Sequence, residues 1–299
     1  MRILITNDDG YRSKGIRVLA EIMKQFGDVT VIAPKSHQSG MSMAVSLGLK
    51  QLAWKELSEQ EVYESGIYDI SSDIPRNEKP AAWSYLDATP ASCVKFGLNT
   101  CFLDDFPDVV VSGINHGSNA ASASCYSGTL GAAQEAALNG ILSVGVSLDT
   151  LDPNADFSAV VRLFPAIFSE IMASAPSGKG ILYNVNFPNI PADEIKGVKA
   201  GVQGKGRWIR EFKPWNPDIY AKLGITPEML GQSSVPSCED GETLYTMVGE
   251  FLDDPANTPD ADHLLMQQGY VSVVPHTIDT TDYAEADRLR KAWEDIRFR

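Results

Sequence analysis

The sequence predicts an α/β fold in which a Rossmann-like parallel or mixed sheet is flanked by helices. Residues 2–6 (RILIT) form a short apolar run that stops at a polar loop, which is typical of a buried strand. Residues 16–26 (IRVLAEIMKQF) then carry apolar side chains at helical spacing, and residues 29–34 (VTVIAP) form a β-branched run. A strand, a helix and a second strand in this order favour parallel strands joined by a right-handed crossover.

Strand-like and helix-like segments continue along the chain. Residues 43–70 alternate loosely in polarity and predict extra strands, whereas residues 89–102 predict a helix with Thr89 as N-cap and Pro90 at the first helical position. Further strands are predicted at 108–114, 141–148, 181–188 and 269–275, and further helices at 127–140, 157–173 and 282–298.

The composition changes after about residue 196, where Gly, Pro and Trp become frequent and periodic apolar runs become rare. We therefore predict a Rossmann-like catalytic core at 1–196 and a β-rich arm for oligomerisation at 197–299, whose final strand and helix pack back on the core or on a partner. Aromatic residues in an arm more often pack an interface than bind a base, and we assign Trp208 and Trp215 to packing.

Charge and composition exclude several classes of function. The 299 residues carry a formal net charge of −14, which argues against DNA or RNA binding and against docking on anionic membranes. No apolar run approaches the roughly 18 residues of a membrane span, and no signal peptide is expected at the acidic start of the sequence. The four cysteines match no CxxC pattern, so we expect free thiols and a cytoplasmic location.

The first candidate site is Asn7-Asp8-Asp9-Gly10, which directly follows the first predicted strand. Ligands of open α/β sheets bind outside the carboxyl ends of the strands. In a loop closed by glycine, the carboxylates of Asp8 and Asp9 can converge on a cation, and oxygen ligands suit Mg²⁺, Mn²⁺ or Ca²⁺. The plainer interpretation is an acidic turn that caps the next helix, and this motif alone leaves the two interpretations about equal.

Two further polar loops also follow predicted strands. The loop at 35–42 contains hydroxyls and a glycine that can bind a cation or phosphate, although alone it reads as an ordinary surface loop. In the loop at 112–119, Asn115 offers a neutral oxygen ligand. Ser127-Gly128-Thr129 then opens a helix, whose N–H groups and dipole can bind an anion. Parallel strands bring all three loops to one edge of the sheet, which favours a shared site.

The histidines give a weaker signal. His37 and His116 lie in these loops and can act as acid or base near neutral pH, or can be exposed loop residues, which we favour for His37. His263 and His276 are given no role.

Taken together, the three loops resemble those of the SurE survival-protein family of 5′-nucleotidases. The similar segments are MRILITNDDG with Lys14-Gly15-Ile16, APKSHQSGMS at 33–42, VSGINHGSN at 111–119, YSGT at 126–129, and weaker matches at 88–98, 183–188, 269–275 and 281–283. The matches occur in order over almost the whole chain. Departures include Ala88 in place of a usual glycine and Ser118 in place of a common proline.

The resemblance implies a Rossmann-like core with one divalent cation per subunit, such as Mg²⁺ or Mn²⁺. Its ligands would be Asp8, Asp9, Ser39 and Asn115, and the turn Ser127-Gly128-Thr129 would hold the phosphate. The resemblance also implies homodimers or homotetramers built by a swapped C-terminal helix.

The resulting hypothesis is metal-assisted hydrolysis of nucleoside 5′-monophosphates, with 3′-monophosphates as further candidate substrates and with Asp8, Asp9 and Asn115 as catalytic residues. Either water or an aspartate attacks phosphorus. One alternative is a non-catalytic metal- and nucleotide-binding sensor, which binds nucleotide without releasing phosphate. A phosphatase of the haloacid dehalogenase type and a metal-dependent glycosyltransferase are others, but both use Asp-x-Asp, whereas Asp8 and Asp9 are adjacent.

Overall fold

The computed structural model describes residues 1–48, 51–64, 80–152, 154–176, 180–222 and 238–293. The helices are α1 (Lys14–Met23), α2 (Glu59–Glu64), α3 (Pro90–Asn99), α4 (Gly128–Leu138), α5 (Ser158–Ser174), α6 (Pro217–Lys222), α7 (Asp262–Gln267) and α8 (Tyr283–Ala292). The strands are β1 (Arg2–Thr6), β2 (Asp28–Pro34), β3 (Trp54–Leu57), β4 (Ala82–Leu86), β5 (Val109–His116), β6 (Leu142–Leu148), β7 (Ile181–Phe187), β8 (Val198–Ala200), β9 (Gly206–Ile209), β10 (Phe212–Pro214), β11 (Tyr245–Met247), β12 (Glu250–Asp253) and β13 (Val271–Thr277).

Nine of these strands form one central sheet in the order β3-β4-β2-β1-β5-β6-β7-β13-β8. The strands from β4 to β7 in this order are parallel to their neighbours, whereas β3 and β13 run antiparallel to β4 and β7. The chain moves outward in one direction from β1 to β2 and β4, and in the other from β5 to β6 and β7. The predicted Rossmann-like mixed sheet is confirmed, and its topological switch point lies between β1 and β5.

The central strands are buried because helices cover both faces of the sheet. Ile3, Leu4 and Ile5 of β1 have no exposed surface, as expected for a parallel strand that packs on both sides. One apolar cluster joins β1 to the side chains of α1 and α5, and a second joins it to those of α3 and α4. The site at the end of β1 is therefore held between two packed layers.

The observed elements match most predicted ones to within a few residues, and two departures are informative. Strand β4 was not predicted, because its sequence AWSYL is short and contains Ser84, whose buried hydroxyl donates to the Val31 carbonyl at 3.1 Å. Helix α7 was also missed. In the segment 43–70, where strands were predicted, the structure contains β3 and also α2; residues 49–50 and 65–70 lie outside the described residues, as do 294–298 of the predicted last helix.

Beyond residue 200 the chain forms two small antiparallel pairs, β9 with β12 and β10 with β11. Strands β8 and β13 return to the edge of the central sheet. The division of the chain at residue 196 stays a prediction. Among the described residues, no helix has both the length and the apolarity to cross a bilayer.

Candidate metal and phosphate site

Four segments meet at the carboxyl ends of β1, β2 and β5. The backbone N–H of Gln38, after β2, donates to the Asp8 carbonyl at 2.7 Å. The N–H of His116, at the end of β5, lies 3.3 Å from Asp9 Oδ2, and the Thr129 hydroxyl of α4 donates to Asp8 Oδ1 at 2.7 Å. The structure thus brings together the three loops that the sequence singled out.

Asp8 is almost completely buried, with 3% of its surface exposed. Burial raises the pKa of its carboxyl to about 7, and the negative charge of Asp9 acts in the same direction. Hydrogen bonds from the hydroxyl and the backbone N–H of Thr129 lower the pKa and partly offset these effects. Thr129 therefore holds the Asp8 carboxylate at the N-terminus of α4, where the helix dipole favours negative charge.

The start of α4 approaches Asp8 so closely that only glycine fits there. A Cβ atom on Gly128 would lie 2.9 Å from Asp8 Cβ and 3.0 Å from Oδ2. Ser127 caps the helix, since its Oγ accepts from the N–H of Leu130 at 3.0 Å. The Ser127-Gly128-Thr129 turn thus lies against the carboxylate that the sequence assigned to the metal.

Asp9 is flanked by two histidines. His116 Nδ1 lies 3.1 Å from Asp9 Oδ2, and His37 Nδ1 lies 3.5 Å from Oδ1. The interpretation of His37 as an exposed loop residue is wrong, since only 18% of its side chain is exposed. The reason is that the Gln38 hydrogen bond to Asp8 holds the loop against β1. His116 Nε2 is buried and has no hydrogen-bond partner within the described part of the chain.

The two neutral predicted ligands differ in environment. Asn115 is buried, and its Nδ2 donates to the Gly117 carbonyl at 2.7 Å, which leaves its Oδ1 to face other groups. Gly117 is held in turn, because its N–H donates to the Leu148 carbonyl of β6 at 2.9 Å. Ser39 is exposed next to Gln38.

A buried asparagine network that the sequence analysis missed supports the loop after β5. Asn119 Nδ2 donates to Ser147 Oγ at 2.9 Å, and the N–H of Asn119 donates to Asn186 Oδ1 at 2.8 Å. Asn184 Nδ2 donates to the Asn119 carbonyl at 2.8 Å. The signal was present, because Asn184 and Asn186 recur with the period of two that places side chains on one face of a strand.

Asp262, at the start of α7, holds the backbone at Ala121, which follows the asparagine network in the chain. It is fully buried, and it accepts hydrogen bonds from the N–H groups of Ala121 and Gly204, each at 3.0 Å. His263, to which the sequence analysis gave no role, lies between Asp253 at 3.0 Å and Asp262 at 3.4 Å. Nothing in the local sequence points to this long-range contact.

The chemistry of the predicted ligand set fits a hard divalent cation. Two carboxylates, an amide and a hydroxyl supply only oxygen donors, which Mg²⁺ and Mn²⁺ prefer. Burial and the like charge of Asp9 both raise the pKa of the Asp8 carboxyl, and a cation would offset this charge. The described residues contain no group of three or more His, Cys, Asp or Glu side chains suited to a metal.

Fold and site together define a class of protein, the Rossmann-like α/β proteins with an acidic site at the topological switch point. The family model for survival protein SurE matches residues 3–210, and the chain belongs to this family. It is 35% identical over 295 residues to the 5′-nucleotidase SurE of Cytophaga hutchinsonii, covering 98% of this chain and 97% of that protein. It is also 35% identical over 295 residues to the 5′-nucleotidase SurE of Syntrophobacter fumaroxidans, covering 97% of this chain and 99% of that protein.

A solved structure agrees with this assignment. The crystal structure of SurE protein from Aquifex aeolicus matches this fold with a TM-score of 0.71 and 26% sequence identity. The match covers 98% of this chain and 99% of that chain.

Proposed function

We propose that this protein is a divalent-metal-dependent phosphatase that hydrolyses nucleoside 5′-monophosphates to nucleoside and phosphate. The observation that carries the proposal is the contact between Asp8 and Thr129, which joins an acidic oxygen site to the N-terminus of α4. Cation and phosphate sites must adjoin in such an enzyme. The name 5′-nucleotidase of the relatives supports the same reaction.

In this proposal Asp8, Asp9, Ser39 and Asn115 hold one cation per subunit. The cation supplies positive charge that offsets the negative charge developing on the phosphoryl group. Asp8 and Asn115 are buried and pre-oriented by Thr129 and Gly117, so little reorganisation is needed when the substrate arrives.

The phosphate binds at the turn Ser127-Gly128-Thr129. The dipole of α4 favours an anion at this N-terminus, where the N–H groups of Thr129 and Leu130 already donate to Asp8 and to Ser127 Oγ. Thr129 also orients Asp8, because its hydroxyl donates a hydrogen bond to that carboxylate.

Asp9 is the candidate for the step that forms the new bond to phosphorus. Its carboxylate either accepts the proton of an attacking water or attacks phosphorus itself. In both routes His116 holds the carboxylate through its ring and its backbone N–H.

The first experiment is phosphate release from nucleoside 5′- and 3′-monophosphates with Mg²⁺, with Mn²⁺ or with excess chelator. We expect release from 5′-monophosphates that depends on the added metal. Tight nucleotide binding by folded protein without release under any condition would contradict the proposal and favour a nucleotide sensor.

The substitution Asp9→Asn tests the site itself. We expect phosphate release to fall on the order of 10³-fold, because the neutral amide loses both a cation ligand and a proton acceptor. A matched control is Asp282→Asn, since Asp282 caps α8 through the N–H of Glu285 and asparagine caps a helix equally well. Activity of the Asp9 variant close to that of the control would exclude Asp9 from the mechanism.

The proposal extends to the organisation of the chain. We propose that residues 1–196 form the catalytic core and that residues 197–299 serve assembly into a homodimer or homotetramer. The helix α8 has no buried residue among those described, which leaves its apolar side chains available to a partner. The cytoplasmic location stays a prediction from the sequence.

A further inference from the structure

A cavity of about 290 Å³ lies beside the candidate site, and none of its lining residues takes part in the proposed reaction. Its lining consists of two tyrosines, a leucine and four charged residues: Tyr11, Arg12, Lys55, Leu57, Glu61, Glu64 and Tyr85. This volume is close to the lower end of the range for small-molecule sites, about 300–1,000 Å³. The cavity is therefore large enough for part of a ligand.

Tyr11 connects this cavity to the candidate metal site. It is two residues from Asp9, so the two Cα atoms lie within about 7.6 Å of each other. The N–H of Tyr11 donates to the Pro34 carbonyl at 2.9 Å, which fixes the loop against the end of β2. The N–H of Lys35 donates to the Leu86 carbonyl at 2.9 Å and thereby holds the end of β4 beside it.

The cavity lies on the face of the sheet toward which Asp9 points. Tyr11 belongs to the apolar cluster that covers the α1 and α5 face, and Tyr85 packs against that cluster. The ring of His116, which binds Asp9, packs edge-on against Phe157 of the same cluster at 5.2 Å. Asp8 instead contacts α4 on the opposite face. A substrate whose phosphate lay at α4 and which extended past Asp9 would therefore reach the tyrosines.

The floor of the cavity is aromatic and is flanked by cations. The rings of Tyr11 and Tyr85 lie 5.0 Å apart between centroids. The Arg12 guanidinium lies 5.2 Å from the Tyr11 ring, and the Lys35 ammonium lies 5.8 Å from the Tyr85 ring. Unstacked nucleobases bind proteins by stacking on aromatic rings and on guanidinium planes.

The rim adds polar groups of both signs. Lys55 and Glu61 form an ion pair, and the hydrogen bond from Lys55 lowers the pKa of the Glu61 carboxyl to about 2. Arg12 forms no ion pair within the described residues, so no carboxylate neutralises the guanidinium that lies over the Tyr11 ring. The charges on the lining balance, which favours a neutral ring with donors and acceptors over a second phosphate.

We propose that this cavity binds the nucleobase of the substrate, with Tyr85 and Arg12 as the residues that recognise it and with the buried Tyr11 as the ring that positions both. The proposal rests on the proposed phosphatase function and deepens it, because it names the part of the substrate that the metal and phosphate site leaves unbound. Stacking tolerates every base, so the cavity favours nucleotides over phosphomonoesters without a base.

The test compares two substrates and two variants. The ratio of kcat/KM for AMP to kcat/KM for ribose 5-phosphate measures the contribution of the base. We expect Arg12→Ala and Tyr85→Leu each to lower this ratio about tenfold, because each removes one stacking surface. Tyr85→Phe keeps the ring and is expected to retain most of the ratio.

A matched control removes the same kind of contact elsewhere. The Lys199 ammonium lies 3.7 Å from the Tyr270 ring at the far edge of the sheet, and Lys199→Ala should leave the ratio as it is in the wild type. Ratios unchanged in Arg12→Ala and Tyr85→Leu would overturn the proposal, as would an equal fall in the control.

Binding of adenosine, measured by calorimetry in excess chelator, separates this proposal from the proposed function. Adenosine has no phosphate, so we expect wild-type protein to bind it and Arg12→Ala and Tyr85→Leu to bind it about tenfold more weakly. If the wild type binds adenosine and both variants bind it more weakly, but no nucleotide releases phosphate, the nucleobase proposal is supported and the proposed phosphatase function is contradicted. If it releases phosphate but adenosine does not bind, the nucleobase proposal fails alone.

Discussion

Asp8 combines deep burial with a negatively charged neighbour, and both disfavour its ionised form. The carboxyl nevertheless accepts two hydrogen bonds from Thr129, which stabilise the ionised form. Such opposing effects on one carboxyl are typical of cation-binding sites. A positive charge between the carboxylates of Asp8 and Asp9 would favour the ionised form of Asp8. At the scale of single residues, the free energy of unfolding of the metal-free protein should therefore depend on the protonation of Asp8.

We expect the free energy of unfolding of metal-free protein to fall as the pH rises from about 4 to 7. The pKa of Asp8 is about 7 in the folded protein and 3.8 in a model peptide, so the folded state binds more protons than the unfolded state in this window. Protonation of Asp8 contributes on the order of 4 kcal/mol to the free energy of unfolding. This contribution is fully present below pH 3.8 and is lost as the pH rises through 7.

Urea unfolding in excess chelator at pH 5 and pH 7.5, for wild type and Asp8→Asn, measures this term. The loss of stability between the two pH values should be larger in the wild type, because asparagine does not titrate. Saturating Mg²⁺ or Mn²⁺ should reduce the loss in the wild type. Identical pH dependence of the two proteins in chelator would contradict the assignment.

At the scale of elements, the N-terminus of α4 is placed by close contacts that tolerate no side chain. Gly128 lies against Asp8, and Gly131 lies against the loop after β2, where an added Cβ would be 1.9 Å from the Ser42 carbonyl oxygen. The N–H of Ser42 donates to the Tyr126 carbonyl at 3.0 Å, so that loop is also tied to the entrance of the helix. The helix thus sets the distance between the candidate phosphate turn and the acidic residues.

We expect Gly128→Ala to lower phosphate release by about 10²-fold, because the methyl group would push Asp8 out of position by a fraction of an ångström or more. The matched control is Gly97→Ala in α3, because the atoms nearest to its added methyl group are the ends of the Ile32 and Leu4 side chains. Activity assays and thermal unfolding of both variants separate misplacement of Asp8 from loss of stability. Full activity of folded Gly128→Ala would show that the close approach has no function.

At the scale of the whole molecule, the small sheet of β10 and β11 exposes apolar side chains. Phe212 and Met247 are direct cross-strand partners, and each is 69% exposed; Tyr245 next to them is 58% exposed. The helix α8 has ten residues, fewer than an isolated helix needs to be stable in water. Both features favour contact with a second copy of the chain.

We expect sedimentation velocity to show a dimer or tetramer of the 32.5 kDa chain at micromolar concentration. Phe212→Asp and Met247→Asp should shift the distribution toward the monomer, because each would place a charge in the apolar contact. The control is Leu138→Asp, which changes an exposed leucine at the end of α4, outside the sheet of β10 and β11. A monomeric wild-type protein would contradict the proposed assembly.

The local signals in the sequence were sufficient for most helices and strands of the central sheet and for the three loops of the candidate site. Periodicity depends on near neighbours, and a polar loop after a buried strand must lie at the edge of the sheet. The short strand β4 and the helix α7 gave no such signal, because burial of Ser84 and Asp262 depends on partners distant in sequence.

The sequence by itself determined the fold class, the family and the order of the candidate ligands along the chain. Only the tertiary structure decided that β1 lies beside β5, that Thr129 orients Asp8, that two histidines flank Asp9 and that Tyr11 and Tyr85 share a cavity. The physical reason is that these contacts join residues from distant parts of the chain. Strand pairing and packing select them, and no local pattern encodes that selection.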